Sequence, residues 1–468
     1  MCFDAAAWRG RSVSRMFDWT YKKRLKDNLE SWVSKGWVTS VGATAILKEL
    51  EQDDGRSRLP MALAGIGVIC VALAVLAFIA ANWDAIPKTA KLIGIALLVT
   101  GSHGLAALAA QKGRKGIADL ATGFATLVFV GGMALVGQIF HLPSDWAGGA
   151  FLVCLGGLAA AWLSGSKTSL TVAAAAAITW QVMRADVGAP ELGATLVGLL
   201  LTVAVFVHPV LFPSRLTRWA AIALLWVTYG RWFGETADLL NSGDDIVVAM
   251  FLAGAGGLSA IMLQLDPVAD LYVKWSSDRP LRHHGHWLMA RSLQDVGMLV
   301  LTVLIVLALI LVPEISDDLS YQGLLPLPGL LPLVGGLVLT GLGLVLSFQS
   351  AKARALFAAT GLALVAVLLP VVTSNVLVLA AVSLASLIGL CALGTWYNNR
   401  FWMLCAYLAL TAEALWLLEV TIGSLLGQSL FFLVAGLVLL AMALWLARLF
   451  KRRQPPAALA TEAGEVPS

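Results

Sequence analysis

The sequence predicts an all-α fold: a polytopic transmembrane helix bundle of about 14 spans, with both termini in the cytoplasm and a short soluble helical hairpin at the N-terminus. Three observations predict it. Hydrophobic residues make up 59% of the 468 residues and charged residues 13%, whereas a soluble domain carries roughly 25% charged residues; mean hydropathy is +0.84. Apolar stretches of about 20 residues, the length a helix needs to cross about 30 Å of hydrocarbon, recur along the chain. Of the 32 lysines and arginines, 28 fall on one side when those stretches are threaded back and forth, as short cytoplasmic loops require. The 17 tryptophans suit the headgroup boundary.

Residues 1–59 hold the densest charge and precede the first long apolar run, so they form a cytoplasmic N-terminal segment. Asp18 to Trp37 reads as an amphipathic helix, with Trp19, Leu25, Leu29, Trp32 and Val33 on one stripe and Gly36 ending it. Thr39 or Ser40 then caps a second short helix through Ile46, Leu47 and Leu50. The hairpin suits docking of a cytoplasmic protein partner, or plain anchorage of a basic segment on the inner leaflet. The first fifteen residues lack the apolar core and small-residue cleavage site of a signal peptide. They are expected to be either disordered or upstream of a true start at Met16.

The spans are expected at 60–82, 89–110, 116–140, 147–164, 167–183, 191–210, 215–233, 245–264, 293–313, 327–348, 353–370, 374–394, 401–421 and 427–450. The least hydrophobic is 167–183, with its alanine run from Ala173 to Ala177. Omitting any one of them moves later basic loops to the wrong side, and only Lys88, Lys91, Arg184 and Arg231 lie outside. The chain therefore divides into spans 1–8 over 60–264, a cytoplasmic loop over 265–292, spans 9–14 over 293–450, and a disordered Ala-, Pro- and Glu-rich cytoplasmic tail over 451–468. Basic residues spread over eight segments form no groove, so no nucleic acid is expected as a partner; the lipid bilayer is.

Five cysteines stand apart, four of them inside apolar spans and none in a CxxC pair. That pattern excludes a disulfide framework and a zinc knuckle. There is no P-loop, HExxH or GxSxG, so no cofactor, no resident metal and no catalytic residue is expected. Ionisable groups inside a bilayer are costly and mark function. One carboxylate lies deep, Glu413, a little past the midpoint of its span, and it is the candidate intramembrane coupling group. Alternatively it is a structural acid hydrogen-bonded to a neighbouring helix.

A second cluster belongs to the outer face: Gln138, His141 and Asp145 in GQIFHLPSDW, with Asn82, Trp83 and Asp84 from the first outer loop. It reads as a polar mouth or a sparse metal site, or as an interfacial turn capped by Asp145 and anchored by Trp146. The tract RHHGH (282–286) offers three histidines but sits in a basic, headgroup-contacting loop. Glycine pairs such as Gly256–Gly257 and Gly335–Gly336 permit close packing or hinging.

WVSKGWVTS (32–40), ANWDAIPKTAKL (81–92) and GQIFHLPSDW (137–146) resemble marks of the bacterial membrane-protein family known as domain of unknown function 2157. The likeness covers roughly residues 25–165. It implies a multi-pass location in the bacterial inner membrane and supplies no activity. Three functions are weighed: a carrier or flippase-like protein for an envelope solute or lipid, coupled through Glu413; a non-catalytic scaffold or sensor using the hairpin; and a membrane enzyme built on Gln138, His141 and Asp145.

Overall fold

The computed structural model describes residues 29–30, 32–34, 36, 38–44, 46, 66–67, 69–71, 73–74 and 77, then 87–141, 145–184, 192–240, 244–276, 284–315, 324–348, 350–373 and 375–421. The chain divides into two compact units, 1–83 and 84–468, so the expected first span falls with the N-terminal segment.

In the first unit, Leu29, Glu30 and residues 32–34 are helical. Gly36 ends that helix in the left-handed region at φ 72°, its N–H donating to Val33 O at 3.0 Å. Thr39 caps the next turn, its hydroxyl oxygen accepting from Gly42 N at 3.1 Å. Residues 40–44 and 46 are helical, as are the described residues between 66 and 77.

The second unit is all helix among its described residues: α1 (Lys88–Gln111), α2 (Lys115–Ile139), α3 (Trp146–Ser164), α4 (Lys167–Met183), α5 (Leu192–Leu211), α6 (Arg215–Leu240), α7 (Asp244–Ser276), α8 (His284–Ile315), α9 (Leu327–Leu346), α10 (Ala351–Leu368) with a 3₁₀ turn over Leu369–Val371, α11 (Val376–Trp396) and α12 (Arg400–Thr421). Ten of these helices are long and apolar enough to cross a membrane. The others are α4, which has 17 residues, and α6, which carries Arg218, Arg231 and Glu235. The chain is thus a multi-pass membrane protein in contact with the lipid bilayer. The expected spans 1 and 14 lie largely or wholly outside the described residues.

The connection expected over 265–292 is mostly helical. α7 runs on to Ser276 and α8 begins at His284, leaving 277–283 between them. Hydropathy marks where a chain leaves hydrocarbon, whereas a helix continues until its backbone is broken. Asp266, Asp270 and Lys274 recur every fourth residue, a polar stripe that lowers the hydropathy of α7 without breaking its backbone.

Two apolar clusters build the interior. One joins α3, α4, α5 and α6 through residues such as Cys154, Leu170, Ala174, Val205 and Leu224, and takes in Met262 of α7 and Leu293 and Val296 of α8. The other joins α7, α8, α10, α11 and α12 through Leu263, Leu301, Leu304, Leu364, Leu390 and Trp402. The long helices α7 and α8 therefore belong to both.

α7 and α9 approach closest where side chains are absent. A Cβ on Gly257 would overlap the backbone of Pro332 and Leu333, and one on Gly336 would stand 3.1 Å from Gly257 O. Of the two roles left open for these glycines, close packing is the one seen. Pro332 has no N–H to give the carbonyl four residues earlier, that of Pro328. Tyr229 of α6 supplies the missing donor, its hydroxyl donating to Pro328 O at 3.2 Å. Gly254 leaves room for that hydroxyl.

Candidate functional site

α2, α3 and α4 line a partly open cavity of about 760 Å³. α2 contributes Val130, Met133, Ala134, Gly137 and Gln138, α3 contributes Trp146, Gly149, Ala150 and Val153, and α4 contributes Val172, Ala175, Ala176 and Thr179. On each helix these positions recur every third or fourth residue, so each presents one face. The space exists because those faces are rich in alanine and glycine. The alanine run that made this span the least hydrophobic serves both: Ala173, Ala174, Ala176 and Ala177 are buried in the apolar cluster, and Ala175 and Ala176 line the cavity.

The polar groups lie at one end. α2 finishes, α3 starts and α4 finishes there, bringing Gln138, His141, Asp145 and Thr179 into the lining beside Trp146. Asp145 is the N-cap of α3, with Oδ1 accepting from Gly148 N at 2.7 Å. His141 follows the end of α2 with φ 50°, left-handed backbone that residues other than glycine and asparagine adopt rarely. The opposite end, at Val130, Val153 and Val172, is apolar, and no lysine or arginine is among the lining residues. Of the six residues expected at the outer face, the structure brings Gln138, His141 and Asp145 to one cavity. Asn82, Trp83 and Asp84 lie outside the described residues.

Glu413 sits elsewhere. It is fully buried in α12, and one carboxyl oxygen accepts a hydrogen bond from Ser383 of α11. Its other oxygen and the hydroxyl of Ser386, also buried, have no hydrogen-bond partner among the described residues. A carboxylate here lacks a cation, whereas the acid can donate its proton to Ser383 Oγ, whose own hydroxyl donates to Leu379 O at 2.9 Å. Its surroundings are the tightly packed second cluster, including Ala409 and Leu410 of its own helix.

His103 bonds within its own helix, Nδ1 to Val99 O at 2.8 Å. In the histidine tract, His286 Nε2 lies 4.0 Å from Asp266 Oδ1. Among the described residues, no group of three His, Cys, Asp or Glu side chains is placed to hold a metal ion.

Two polar constellations were not picked out as sites by the sequence. Asp119 of α2 caps α4 from outside: Oδ1 accepts from Ser166 Oγ at 2.6 Å, Lys167 N at 2.8 Å and Thr168 N at 3.2 Å, and Oδ2 accepts from Thr168 Oγ1 at 2.9 Å. At the other end of α4, Arg184 pairs with Glu235 of α6 at 2.6 Å. Arg231 reaches the same oxygen at 2.8 Å, and the Arg184 guanidinium lies 5.4 Å from the Trp180 ring. Arg184 and Arg231 are two of the four basic residues that break the charge alternation, and the acid four residues after Arg231 was the available clue.

Helices α2 and α3 and the start of α4 lie in a stretch that matches a protein-family model. Residues 30–170 match the family model DUF2157, described as a predicted membrane protein. The DUF2157 stretch includes most of the cavity lining, from Val130 to Val153, and ends within the first turn of α4. No curated protein and no solved structure matches the chain.

Proposed function

We propose that this chain is a carrier or flippase-like protein of the bacterial inner membrane, handling an amphipathic lipid or solute of the envelope. One observation supports this reading most: the α2–α4 cavity pairs apolar walls with a polar end, the profile of an acyl or isoprenoid chain attached to a polar head. Its volume of about 760 Å³ falls in the range of roughly 300–1,000 Å³ typical of small-molecule sites.

In this reading the chain has about 14 spans, both termini are cytoplasmic, and the polar end of the cavity faces outward. The alternation of basic loops supports that orientation, and the pairing of Arg184 and Arg231 with Glu235, which neutralises two of its exceptions, is consistent with it. Glu413 is the coupling group, a buried acid with one oxygen open to a proton or cation.

The test is translocation of headgroup-labelled lipid in proteoliposomes. Ala176→Trp, which fills the cavity from α4, is expected to slow translocation at least tenfold while the protein still folds; unchanged translocation overturns the proposal. Glu413→Gln is expected to leave exchange without a gradient intact and to abolish its acceleration by a proton gradient. Equal acceleration in both proteins removes Glu413 as the coupling group.

A second reading, a non-catalytic scaffold or sensor whose cytoplasmic hairpin binds a protein partner, is favoured by one observation: Glu413 is packed in an apolar cluster and is not among the residues lining the cavity. It predicts no translocation by any of the three proteins.

A further inference from the structure

The geometry points to an ammonium-headed lipid as the occupant of the α2–α4 cavity, with Asp145 as the group that selects it. This inference rests on the cavity reading above and names the head chemistry it takes. An anionic head, such as a bare phosphate ester, is met in proteins by lysine or arginine, and neither is among the described lining residues. It contains one carboxylate, Asp145, and none of the described ion pairs includes it.

The helix cap does not use up that carboxylate. An ionised carboxyl offers about four acceptor sites, and Gly148 N takes one of them. An ammonium group has three N–H donors. Gln138 and His141 also line that end of the cavity and carry side-chain acceptors of their own. Trp146 is 76% exposed, and its indole face attracts cations.

His141 adds a separate reason to regard this end as built for binding. Its imidazole lines the polar end, and its left-handed backbone, φ 50°, is one that glycine adopts at lower cost. The walls exclude a free water-soluble amine as the occupant, because Val130, Met133, Val153 and Val172 would be left facing water. A lipid chain covers them.

The experiment measures lipid co-bound to the full-length protein by native mass spectrometry, from nanodiscs holding equal amounts of phosphatidylethanolamine and phosphatidylglycerol with matched chains. The wild type is expected to retain phosphatidylethanolamine about tenfold over phosphatidylglycerol, the ratio one charge-assisted hydrogen bond supplies. Asp145→Asn is the informative variant, because asparagine caps a helix as well as aspartate does. It should melt like the wild type and bring the two lipids to within about twofold. His141→Gly should weaken the preference while melting at the same temperature or higher. Equal or stronger retention of phosphatidylglycerol by the wild type overturns the inference, as does a preference that survives in Asp145→Asn. Ala176→Trp separates this failure from that of the cavity reading. If it abolishes retention of both lipids, the cavity still binds lipid and only the head assignment falls; if it changes neither, the cavity reading falls too.

Discussion

Gly257→Leu is expected to be the most damaging single change in the membrane-embedded part, lowering stability by about 3 kcal/mol, the upper end for overpacking a close-packed interior. The neighbours of the added Cβ are backbone atoms of Pro332 and Leu333, not the movable ends of side chains, so α7 and α9 must separate. Separation also disturbs the neighbouring contact, where Tyr229 supplies the hydrogen bond that Pro332 withholds from Pro328 O. Thermal melting in detergent reads the effect. Gly101→Leu is the control, because a Cβ there meets nothing within 4 Å and leucine is the better helix former. Melting of Gly257→Leu at the wild-type temperature would show that the two helices are not held at this distance.

Asp119→Ala comes second, with an expected loss of about 2–3 kcal/mol. Hydrogen bonds to a charged acceptor contribute roughly 1.5–3 kcal/mol each when buried, and solvent reaching half-buried Asp119 reduces the total. The four donors it holds include two N–H groups at the start of α4 that no helical carbonyl can satisfy. Asp119→Asn separates charge from geometry. It keeps one oxygen for the α4 amides, and Thr168 can turn its hydroxyl to accept, so about half the loss should return. Hydrogen exchange should show the first turn of α4 opening in Asp119→Ala before the rest of the bundle. Uniform exchange across α4 would mean that α2 does not hold that end.

The helices were readable because lipid imposes one rule on every span, a run of about 20 apolar residues. α1 to α5 and α9 to α12 begin and end within about two residues of the expected spans. The larger departures are at the C-terminal ends of α6 and α7 and the N-terminal end of α8, where the helix continues past the apolar run and hydropathy falls silent. The polar end of the cavity was readable too, since Gln138, His141 and Asp145 lie within eight residues of one another. The wall across from it was not. It depends on what α4 lacks, and absent side chains on three helices become a cavity only once the helices are assembled. Asp119 was hidden for a related reason: its partners begin 47 residues later, and nothing near Asp119 in sequence names them.

α7 and α8 have 33 and 32 residues, roughly 50 Å of helix at 1.5 Å per residue, against a hydrocarbon layer of about 30 Å. Both are rooted in each apolar cluster. They thus splice the cluster containing α3 and α4, two of the three helices that wall the cavity, to the cluster that packs Ala409 and Leu410 on the helix of Glu413.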